Sequence, residues 1–488
     1  MKRYIPYVVS FALLMDVMDS TILSTAIPKI ATEFQIDPIS LKVALTSYLM
    51  GLAIFIPVSG WFADRFGSKP IFMAALTIFS LSSLWCGLSR GLLEMVLARF
   101  VQGFGGAFLI PVGRLIVLQS FPKAEMVRAM TYMSLPVILG PAAGPILGGM
   151  IVSWFSWRWI FFVNIPLGLL GLLFAWRVLP NQSAYSKAPF DFWGFVWFGL
   201  GLAGLAFTLE VLGLNFLQGN ALFYIWMAAL VALGLFYIHA MRTKWPLVNL
   251  FLFRIRTFRL SLLGGFFSRC GLGSMFFLIP LFFQVGLQKT PLVSGLLLLP
   301  IACGMLTMRL GLKVCLQYLG FKRALIFNTT LLAIFISAFS MLHESIPLWW
   351  FIVFEFCYGA IVAAQFGCMS PLAYADLSDA ALSQGTSMTG SLQQLSIACG
   401  ISMGGFILRS FVGNYSASVS SWASLSAESS IIQPYVFHET FWVMGCVTLI
   451  GAVIFGLLHP HDGATASGYY VKDAGRKRKG ALRVVAEE

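Results

Sequence analysis

The stretch VILGPAAGPILGGM, residues 137–150, is apolar enough to lie inside a membrane, yet much of it is glycine and proline. The residues concerned are Gly140, Pro141, Gly144, Pro145, Gly148 and Gly149. Three of the glycines are spaced by four residues, so they share one face of a helix and let another helix approach closely. The two prolines each remove a backbone donor and bend the helix. The stretch therefore predicts a close, bendable contact between membrane helices.

Apolar runs of about 20 residues, each able to cross a hydrocarbon core of about 30 Å, recur along the whole chain. The chain has 488 residues, of which 59% are hydrophobic and 10% are charged, whereas ordinary soluble proteins are about 25% charged. The first run starts at Tyr4 and has no small-residue cleavage site, so we interpret it as a retained span and not as a signal peptide. The composition predicts an all-α integral membrane protein.

Polar and Pro/Gly-rich breaks divide the chain into about fourteen predicted spans. Their limits are 5–27, 43–63, 70–89, 94–118, 128–153, 159–180, 190–212, 220–241, 259–286, 291–312, 323–341, 347–372, 386–411 and 436–458. Most Lys and Arg residues fall in loops on one side of these spans, which accounts for the net charge of +13 without nucleic acid as a partner. This positive-inside bias places both termini in the cytoplasm. The basic tail GRKRKG is expected to contact anionic lipid.

A weak internal repeat relates the loop after span two to the loop after span ten. GWFADRFGSKP at 60–70 and KVCLQYLGFKR at 313–323 align with Gly67 opposite Gly320. Halves related by a repeat are common in transporters, whose binding sites lie between the halves. We therefore predict four units, namely an amino-terminal six-helix bundle (1–187), two inserted helices (188–245), a carboxy-terminal six-helix bundle (246–460) and a tail (461–488).

No pattern typical of an enzyme or a metalloprotein is present in the sequence. The eight cysteines lie in apolar segments without a C-x-x-C pair, so we interpret them as small core residues. No phosphate-binding Gly-Lys-Ser/Thr loop is present, and the two histidines of HPHD at 459–462 stand alone. We predict no enzymatic activity, no metal and no cofactor.

Five motifs occur in order and carry a resemblance to a known family. They are MDSTILSTAIP (18–28), GWFADRFGSKP (60–70), RFVQGFGGA (99–107), GPAAGPILGG (140–149) and WRWIFFVNIPLG (157–168). Together they resemble the fourteen-span drug:proton antiporter branch of the Major Facilitator Superfamily, the EmrB/QacA type. PVGRL (111–115) and FFSRCGLG (266–273) are similar to MdtD-like bacterial members.

The resemblance implies the Major Facilitator fold, with two six-helix bundles plus two inserted transmembrane helices, in a bacterial inner membrane. It implies a proton-driven exporter of small molecules that works by alternating access. We expect a monomer. Whether a periplasmic adaptor protein is a partner is left open.

Two carboxyl groups in span one are candidates for proton coupling. Asp16 and Asp19 are three residues apart and share a helical face. Carboxylates in hydrocarbon are costly and functional by default, and burial disfavours the charged form, so such groups can exchange protons. The resemblance makes Arg99 in span four the basic residue linked to proton transfer, paired with Asp19 or Asp16, and Gln102 lies one turn further. The alternative is a fixed structural ion pair.

Two segments are candidates for conformational control. The resemblance implies that the loop after span two pins the inward ends of neighbouring helices, and that the glycine–proline stretch of span five packs against the other bundle. The residues concerned are Gly60, Asp64, Arg65, Gly67 and Lys69 in the loop, and Gly140, Pro141, Gly144, Pro145 and Gly148 in span five. The alternatives are a solvated loop and a merely kinked, packed helix. Ser68 stands where the family usually has a basic residue.

Further charged residues in the predicted spans are candidates for substrate binding. Arg269 lies about ten residues into span nine, roughly 15 Å deep at 1.5 Å per residue, which snorkelling explains poorly. It suits an anionic substrate, or equally a structural pair with Glu355 of span twelve. Arg114, near the inner end of span four, fits either snorkelling or substrate contact, and Gln102, three residues after Arg99, is a further candidate for substrate binding.

The identity of the substrate stays open at this point. Drug-like compounds or organic anions fit the motifs, and the alternative is a specific carboxylate metabolite, siderophore or metal-citrate-type chelate. We expect Glu210 and Asp191 at opposite interfaces. SWFSWRW at 153–159 is expected mostly in an aromatic belt, and the resemblance implies that Arg158 and Asn164 hold that corner.

Overall fold

The computed structural model describes residues 4–121, 133, 140, 143–180, 189–211, 220–343, 345–377, 379–415 and 433–463. Within these residues, 13 helices are long and apolar enough to cross a membrane, and Ala143–Trp154 is a shorter apolar helix in the predicted fifth span. The predicted fold class is thereby confirmed. Pro141 and the basic tail lie outside the described residues.

Fourteen helical units follow one another along the described chain. They are α1 (Ile5–Phe34), α2 (Lys42–Phe66), α3 (Ser68–Leu88), α4 (Leu92–Ser120), α5 (Ala143–Trp154), α6 (Trp159–Phe162 and Asn164–Val178), α7 (Phe192–Val211), α8 (Ala221–Arg242), α9 (Arg256–Leu281), α10 (Pro291–Leu297, and from Leu299 to the break at Gly320), α11 (from that break to Ala338), α12 (Leu348–Tyr374), α13 (Asp379–Tyr415) and α14 (Gln433–Gly456). A π-helical turn, Phe282–Gly286, extends α9. Short 3₁₀ turns cover Leu250–Arg254 and Phe339–Met341.

The helices pack into two halves with a helix pair beside them. In the amino-terminal half, α4 packs against α1, α2 and α3, and α6 packs against α1 and α3. In the carboxy-terminal half, α9 packs against α12, α13 and α14, while the run that contains α10 and α11 packs against α12 and α14. The two halves meet mainly along α2 and α13, and α7, paired with α8, touches both of these helices.

Single glycines make the turns between α2 and α3 and between α10 and α11. Gly67 has φ 93° and ψ 142°, and Gly320 has φ 68° and ψ 171°. Side chains rarely tolerate such backbone angles, so both turns require glycine. The two residues that the sequence repeat aligns therefore occupy the same structural position in the two halves.

Polar contacts join the halves at the end of the bundle where α1 ends and α2 begins, which we call the α1–α2 end. Arg409 on α13 pairs with Asp37 at 3.4 Å. Gln284, just beyond α9, donates to the carbonyl oxygen of Thr25 at 3.0 Å. A Cβ atom on Gly149 of α5 would meet the carbonyl oxygen of Pro291 at 2.5 Å. The halves are thus in close contact at this end.

Candidate functional site

A buried ion pair between Asp19 and Arg99 forms the centre of the amino-terminal half. Asp19 is 1% exposed and Arg99 is fully buried. Arg99 Nη1 donates to Asp19 Oδ2, and Asn164 Nδ2 donates to the other carboxylate oxygen at 2.5 Å. The pairing expected for Asp19 is therefore present, with an amide from α6 as an additional donor.

Asp16 has a different partner, although it shares a helical face with Asp19. Tyr48 on α2 donates its hydroxyl proton to Asp16 Oδ1. The guanidinium carbon of Arg99 lies 4.5 Å from the centre of the Tyr48 ring, close enough for a cation–π contact. A Cβ atom on Gly106 of α4 would come within 2.8 Å of the Asp16 carboxyl oxygen. Tyr48 thus connects Asp16 to Arg99, the partner of Asp19. The missing side chain at Gly106 of α4 leaves room for the Asp16 carboxyl group.

Gln102 belongs to the same buried network. Its Oε1 accepts a hydrogen bond from Arg99 Nη1 at 2.7 Å. Arg99 Nη2 and Gln102 Nε2 are buried and have no hydrogen-bond partner. Buried donors without partners are costly, so two groups in the network are ready to bind an acceptor. Arg99, Gln102, Asp16 and Asp19 together make an acid–base cluster inside the membrane bundle.

The glycine face of α5 packs against α1, in the same half. Cβ atoms on Gly140 and Gly144 would collide with Val17 and Thr21, and one on Gly148 would meet the carbonyl oxygen of Ile22 at 2.7 Å. The close approach predicted from the spacing is therefore present. The stretch also meets the other half, as expected, but not through the glycine row, which points at α1. Pro145 and Gly149, on another face of α5, contact α10 at Gly295 and Pro291.

The segment around Gly67 fastens the start of α3 to two other helices. Lys69 Nζ donates to the carbonyl oxygen of Trp176 on α6 at 2.7 Å. Ser68 Oγ lies 3.5 Å from Gln119 Oε1 on α4. Asp64 is partly buried and Arg65 is exposed. Gly60 has open space where a Cβ atom would lie, so close packing does not explain that glycine.

Arg269 is buried in the carboxy-terminal half with unused donors. It is 1% exposed, and its Nε and Nη1 atoms have no hydrogen-bond partner. A Cβ atom on Gly265 would lie 2.8 Å from Nη1 and 3.2 Å from the sulfur of Met369. The guanidinium therefore lies between α9 and α12 at the level of Met369.

The structure contradicts the alternative that Arg269 pairs with Glu355. Glu355 is fully buried, and neither of its carboxyl oxygens has a hydrogen-bond partner. Met369 lies fourteen residues further along α12, about 21 Å away at 1.5 Å per residue. Arg269 and Glu355 are thus at different depths in the membrane bundle. Their positions in the sequence of two separate helices do not reveal this difference. Of the other two substrate candidates, Arg114 is exposed, and Gln102 belongs to the buried acid–base cluster.

The corner that contains SWFSWRW is only partly an aromatic belt. Trp154, Phe155 and Trp159 are exposed, but Trp157 is 1% exposed and donates to Glu33 Oε2 at 2.6 Å. Arg158 also pairs with Glu33, so it fastens this corner to α1. Asn164 serves the Asp19 network instead of the corner.

The sequence analysis placed none of Tyr48, Ser83 and Asn164 in the network of Asp19 and Arg99. Ser83 Oγ accepts a hydrogen bond from Asn164 Nδ2 at 3.0 Å, and it donates to the carbonyl oxygen of Phe161. Asn164 lies inside a motif that carried the resemblance and is a polar group within an apolar span. A polar residue that lies both in a family motif and in an apolar span is the sequence feature that could have identified Asn164. Nothing comparable distinguishes Tyr48 from the other tyrosines.

Residues 9–401 match the model of the Major Facilitator Superfamily. The chain belongs to the Major Facilitator Superfamily. In a chain of this family, a buried acid–base cluster inside a bundle of membrane helices that packs in two halves defines a membrane transporter and not an enzyme.

Known proteins similar to this chain agree with that assignment. The "Putative multidrug resistance protein MdtD" of Pectobacterium atrosepticum is 35% identical over 458 residues, which is 94% of this chain and 96% of the relative. Among solved structures, the D-xylose-proton symporter aligns with a TM-score of 0.64 at 15% identity, over 94% of this chain and 98% of that chain. A bacterial homolog of the human lysosomal transporter Spinster aligns with a TM-score of 0.64 at 13% identity, over 96% and 98%. These structures support the fold.

Proposed function

We propose that the protein is a proton-coupled antiporter that exports small molecules from a bacterium by alternating access. The observation that carries the proposal is the buried pair of Asp19 and Arg99. A carboxylate and a guanidinium in the hydrocarbon region are expensive to keep and mark proton relays in transporters. The relatives named as multidrug resistance proteins support drug-like compounds as the substrate class.

The proton step follows from the hydrogen bonds of the cluster. When Asp19 takes up a proton, its ionic attraction to Arg99 is lost, and the guanidinium becomes free to bind another acceptor. Tyr48 contacts both Arg99 and Asp16, so a shift of the Arg99 guanidinium alters the surroundings of the Asp16 carboxyl group. The two acids then act as a coupled pair.

Helix α1 connects this chemistry to the contact between the halves. It carries Asp16 and Asp19 on one face, and it packs against the glycine row of α5 on another. Helix α5 in turn contacts α10 of the other half through Pro145 and Gly149. We propose that α5 and the segment from Gly60 to Lys69 control the conformational change.

We further propose that the α1–α2 end faces the outside of the cell. The positive-inside bias of the loops supports this orientation, which leaves both termini in the cytoplasm. In that orientation the described contacts between the halves lie on the outer side.

Transport by the purified protein tests the proposal. The full-length chain is placed in liposomes with an imposed pH gradient and offered organic cations and organic anions as labelled substrates. We expect movement of at least one class against its own gradient, together with proton flux in the opposite direction. Transport that proceeds only down the substrate gradient, with no proton flux, would show a uniporter and overturn the proposal.

A second candidate function is export of a specific organic anion, such as a carboxylate or a metal chelate. The unpartnered Nε and Nη1 atoms of Arg269 favour it, because a guanidinium presents a fork of donors that matches carboxylates. Arg269→Lys keeps the charge without the fork, and Arg269→Gln removes both. If the anion binds there, both variants weaken anion export, Gln more than Lys, and proton coupling persists. Full anion export by Arg269→Gln would assign Arg269 to structure.

A further inference from the structure

A second buried acid–base cluster lies where α7 meets both halves, remote from Asp19. Lys42, the first residue of α2, is 2% exposed, and Glu210, near the end of α7, is 6% exposed. Lys42 Nζ lies 3.7 Å from Glu210 Oε2 and donates to the carbonyl oxygen of Ser402 on α13 at 3.2 Å. Ser402 Oγ donates to Glu210 Oε1. We call Lys42, Glu210 and Ser402 the three-helix junction.

The Lys42 side chain crosses from one half to the other within this junction. A Cβ atom on Gly405 of α13 would come within 2.5 Å of Lys42 Cδ. The glycine therefore leaves room for the lysine stem against α13. Helices α2 and α13 cannot separate at the α1–α2 end without withdrawing this stem and breaking its contacts with Ser402 and Glu210.

One oxygen of Glu210 is free to accept a proton. Oε2 is buried and has no hydrogen-bond partner, since 3.7 Å exceeds hydrogen-bond distance. A buried carboxylate is tolerated only when it is paired, whereas a protonated one needs no counter-charge. The charge on Lys42 thus compensates the charge of an ionised Glu210, and the ionised acid attracts Lys42 in turn.

Few other titratable groups face the three-helix junction. Cys399 of α13 lies within electrostatic range of Glu210, and Arg409 and Asp37 lie within range of Lys42. On the first two turns of α8, the neighbour of α7, the one titratable residue is Tyr224, which is 66% exposed. Lys42 is therefore the cation that Glu210 contacts.

We propose that Glu210 is a second proton-binding group of this transporter and that its protonation releases the two halves at the α1–α2 end. Proton uptake on Oε2 removes the ionic attraction to Lys42, and proton loss restores it. The inserted helix α7 then takes part in gating instead of only widening the bundle. This inference rests on the proposed proton-coupled alternating access.

Spin labels across the α1–α2 end measure the opening directly, without substrate. Thr32 on α1 and Lys289 after α9 are exposed, and cysteines placed there in a cysteine-free full-length protein accept labels in lipid nanodiscs. In the parent, acidification should increase the population with a long label–label distance. Glu210→Gln mimics the protonated acid, so that population should stay high at every pH, at least about fivefold above the alkaline parent.

Two further variants distinguish proton binding from packing. Lys42→Met keeps the apolar stem but removes the charge that attracts Glu210, so the long-distance population should be high at alkaline pH as well, as in Glu210→Gln. Asp37→Asn breaks the less buried pair with Arg409 at the same end and serves as the matched control, with the pH response kept. If Glu210→Gln fails to fold, the long-distance population of Lys42→Met at alkaline pH decides the question.

The outcomes separate this inference from the proposed function. A parent-like pH response in both Glu210→Gln and Lys42→Met would overturn the role of Glu210, even if transport is proton-driven. A parent that transports without proton flux would overturn the proposed function, whatever the label distances show.

Discussion

Both carboxylate oxygens of Asp19 are hydrogen-bonded, to Arg99 and to Asn164, while donors on Arg99 and Gln102 remain unused. The acid is therefore fully paired, and the base keeps capacity for a further acceptor. This asymmetry fits a cluster that exchanges a proton on the acid and then rearranges the base. At the scale of single residues, this spare capacity is what a saturated structural ion pair would lack.

Asp19→Asn should abolish transport driven by a pH gradient, because the amide cannot release a proton. The amide keeps the shape of the side chain, so the variant should remain folded in detergent. Glu33→Gln is the matched control, since Glu33 is also on α1 and also pairs with an arginine, but is 46% exposed at its side chain. Liposome uptake with and without a gradient gives the measurement. Uphill transport by Asp19→Asn at the normal rate would exclude Asp19 as the coupling site.

The sequence indicated which charged residues lie inside the membrane bundle better than which residues contact one another. The spacing of three places Asp16 and Asp19 on one face of α1, and the arginine motif supplied a base. Which of the two acids pairs with Arg99 depends on how α1 and α2 are rotated about their axes, because Tyr48 on α2 donates a hydrogen bond to Asp16. Arg269 and Glu355 each stood out as buried charges, but their different depths depend on how α9 and α12 are shifted along their axes.

The turns at Gly67 and Gly320 show the internal repeat at the scale of single elements. Gly67→Ala and Gly320→Ala should each lower the free energy of unfolding by about 1–3 kcal/mol, because both positions have backbone angles that only glycine adopts readily. Thermal unfolding in detergent measures the loss. Gly60→Ala, at an open helical position, should be nearly neutral. Equal melting temperatures for all three variants would contradict the strain at the two turns.

The contact between α5 and α1 gives a second prediction for elements. Gly144→Leu places a large side chain where even a Cβ atom would collide with Thr21. Helix α1 should be forced away from α5, and interconversion of the transporter should slow more than expression falls. Accessibility of single cysteines from each side of the membrane reports the interconversion. Unchanged accessibility together with unchanged transport would exclude this contact from the conformational change.

The positions of the spans were predictable because the hydropathy of each span reports its burial in lipid, but helix limits were less so: α1 continues to Phe34, beyond the predicted 27, and α13 covers Asp379–Tyr415 against the predicted 386–411. The close packing of α5 was also predictable from its glycine spacing. Its partner was not, because a row of small residues shows that some helix approaches closely but not which one. Likewise, charge in an inserted helix indicated an interface position for Glu210, and only the packing of α2, α7 and α13 revealed its contact with Lys42.

The whole molecule is expected to move as two halves that separate at the α1–α2 end. Gly149 and Leu292 lie close enough across that end that a Cβ atom on the glycine would be 3.2 Å from Leu292 Cα. A disulfide between Gly149→Cys and Leu292→Cys, in a background without the eight native cysteines, should stop transport until it is reduced. Each single-cysteine variant serves as a control. Full transport by the oxidised double variant would show that this end does not need to open.

The pairing of Asp19 with Arg99 also has consequences for how the chain enters the membrane. The two residues are 80 positions apart, so α1 leaves the ribosome well before α4. A single charge at the centre of a helix raises the cost of insertion by about 2.5–3.5 kcal/mol. We therefore expect α1 to stay beside the insertion machinery until α4 arrives, and the two helices to enter the lipid with Asp19 and Arg99 already paired. Under the proposed mechanism, the two side chains that carry the transport cycle would therefore also decide how this half is inserted into the membrane.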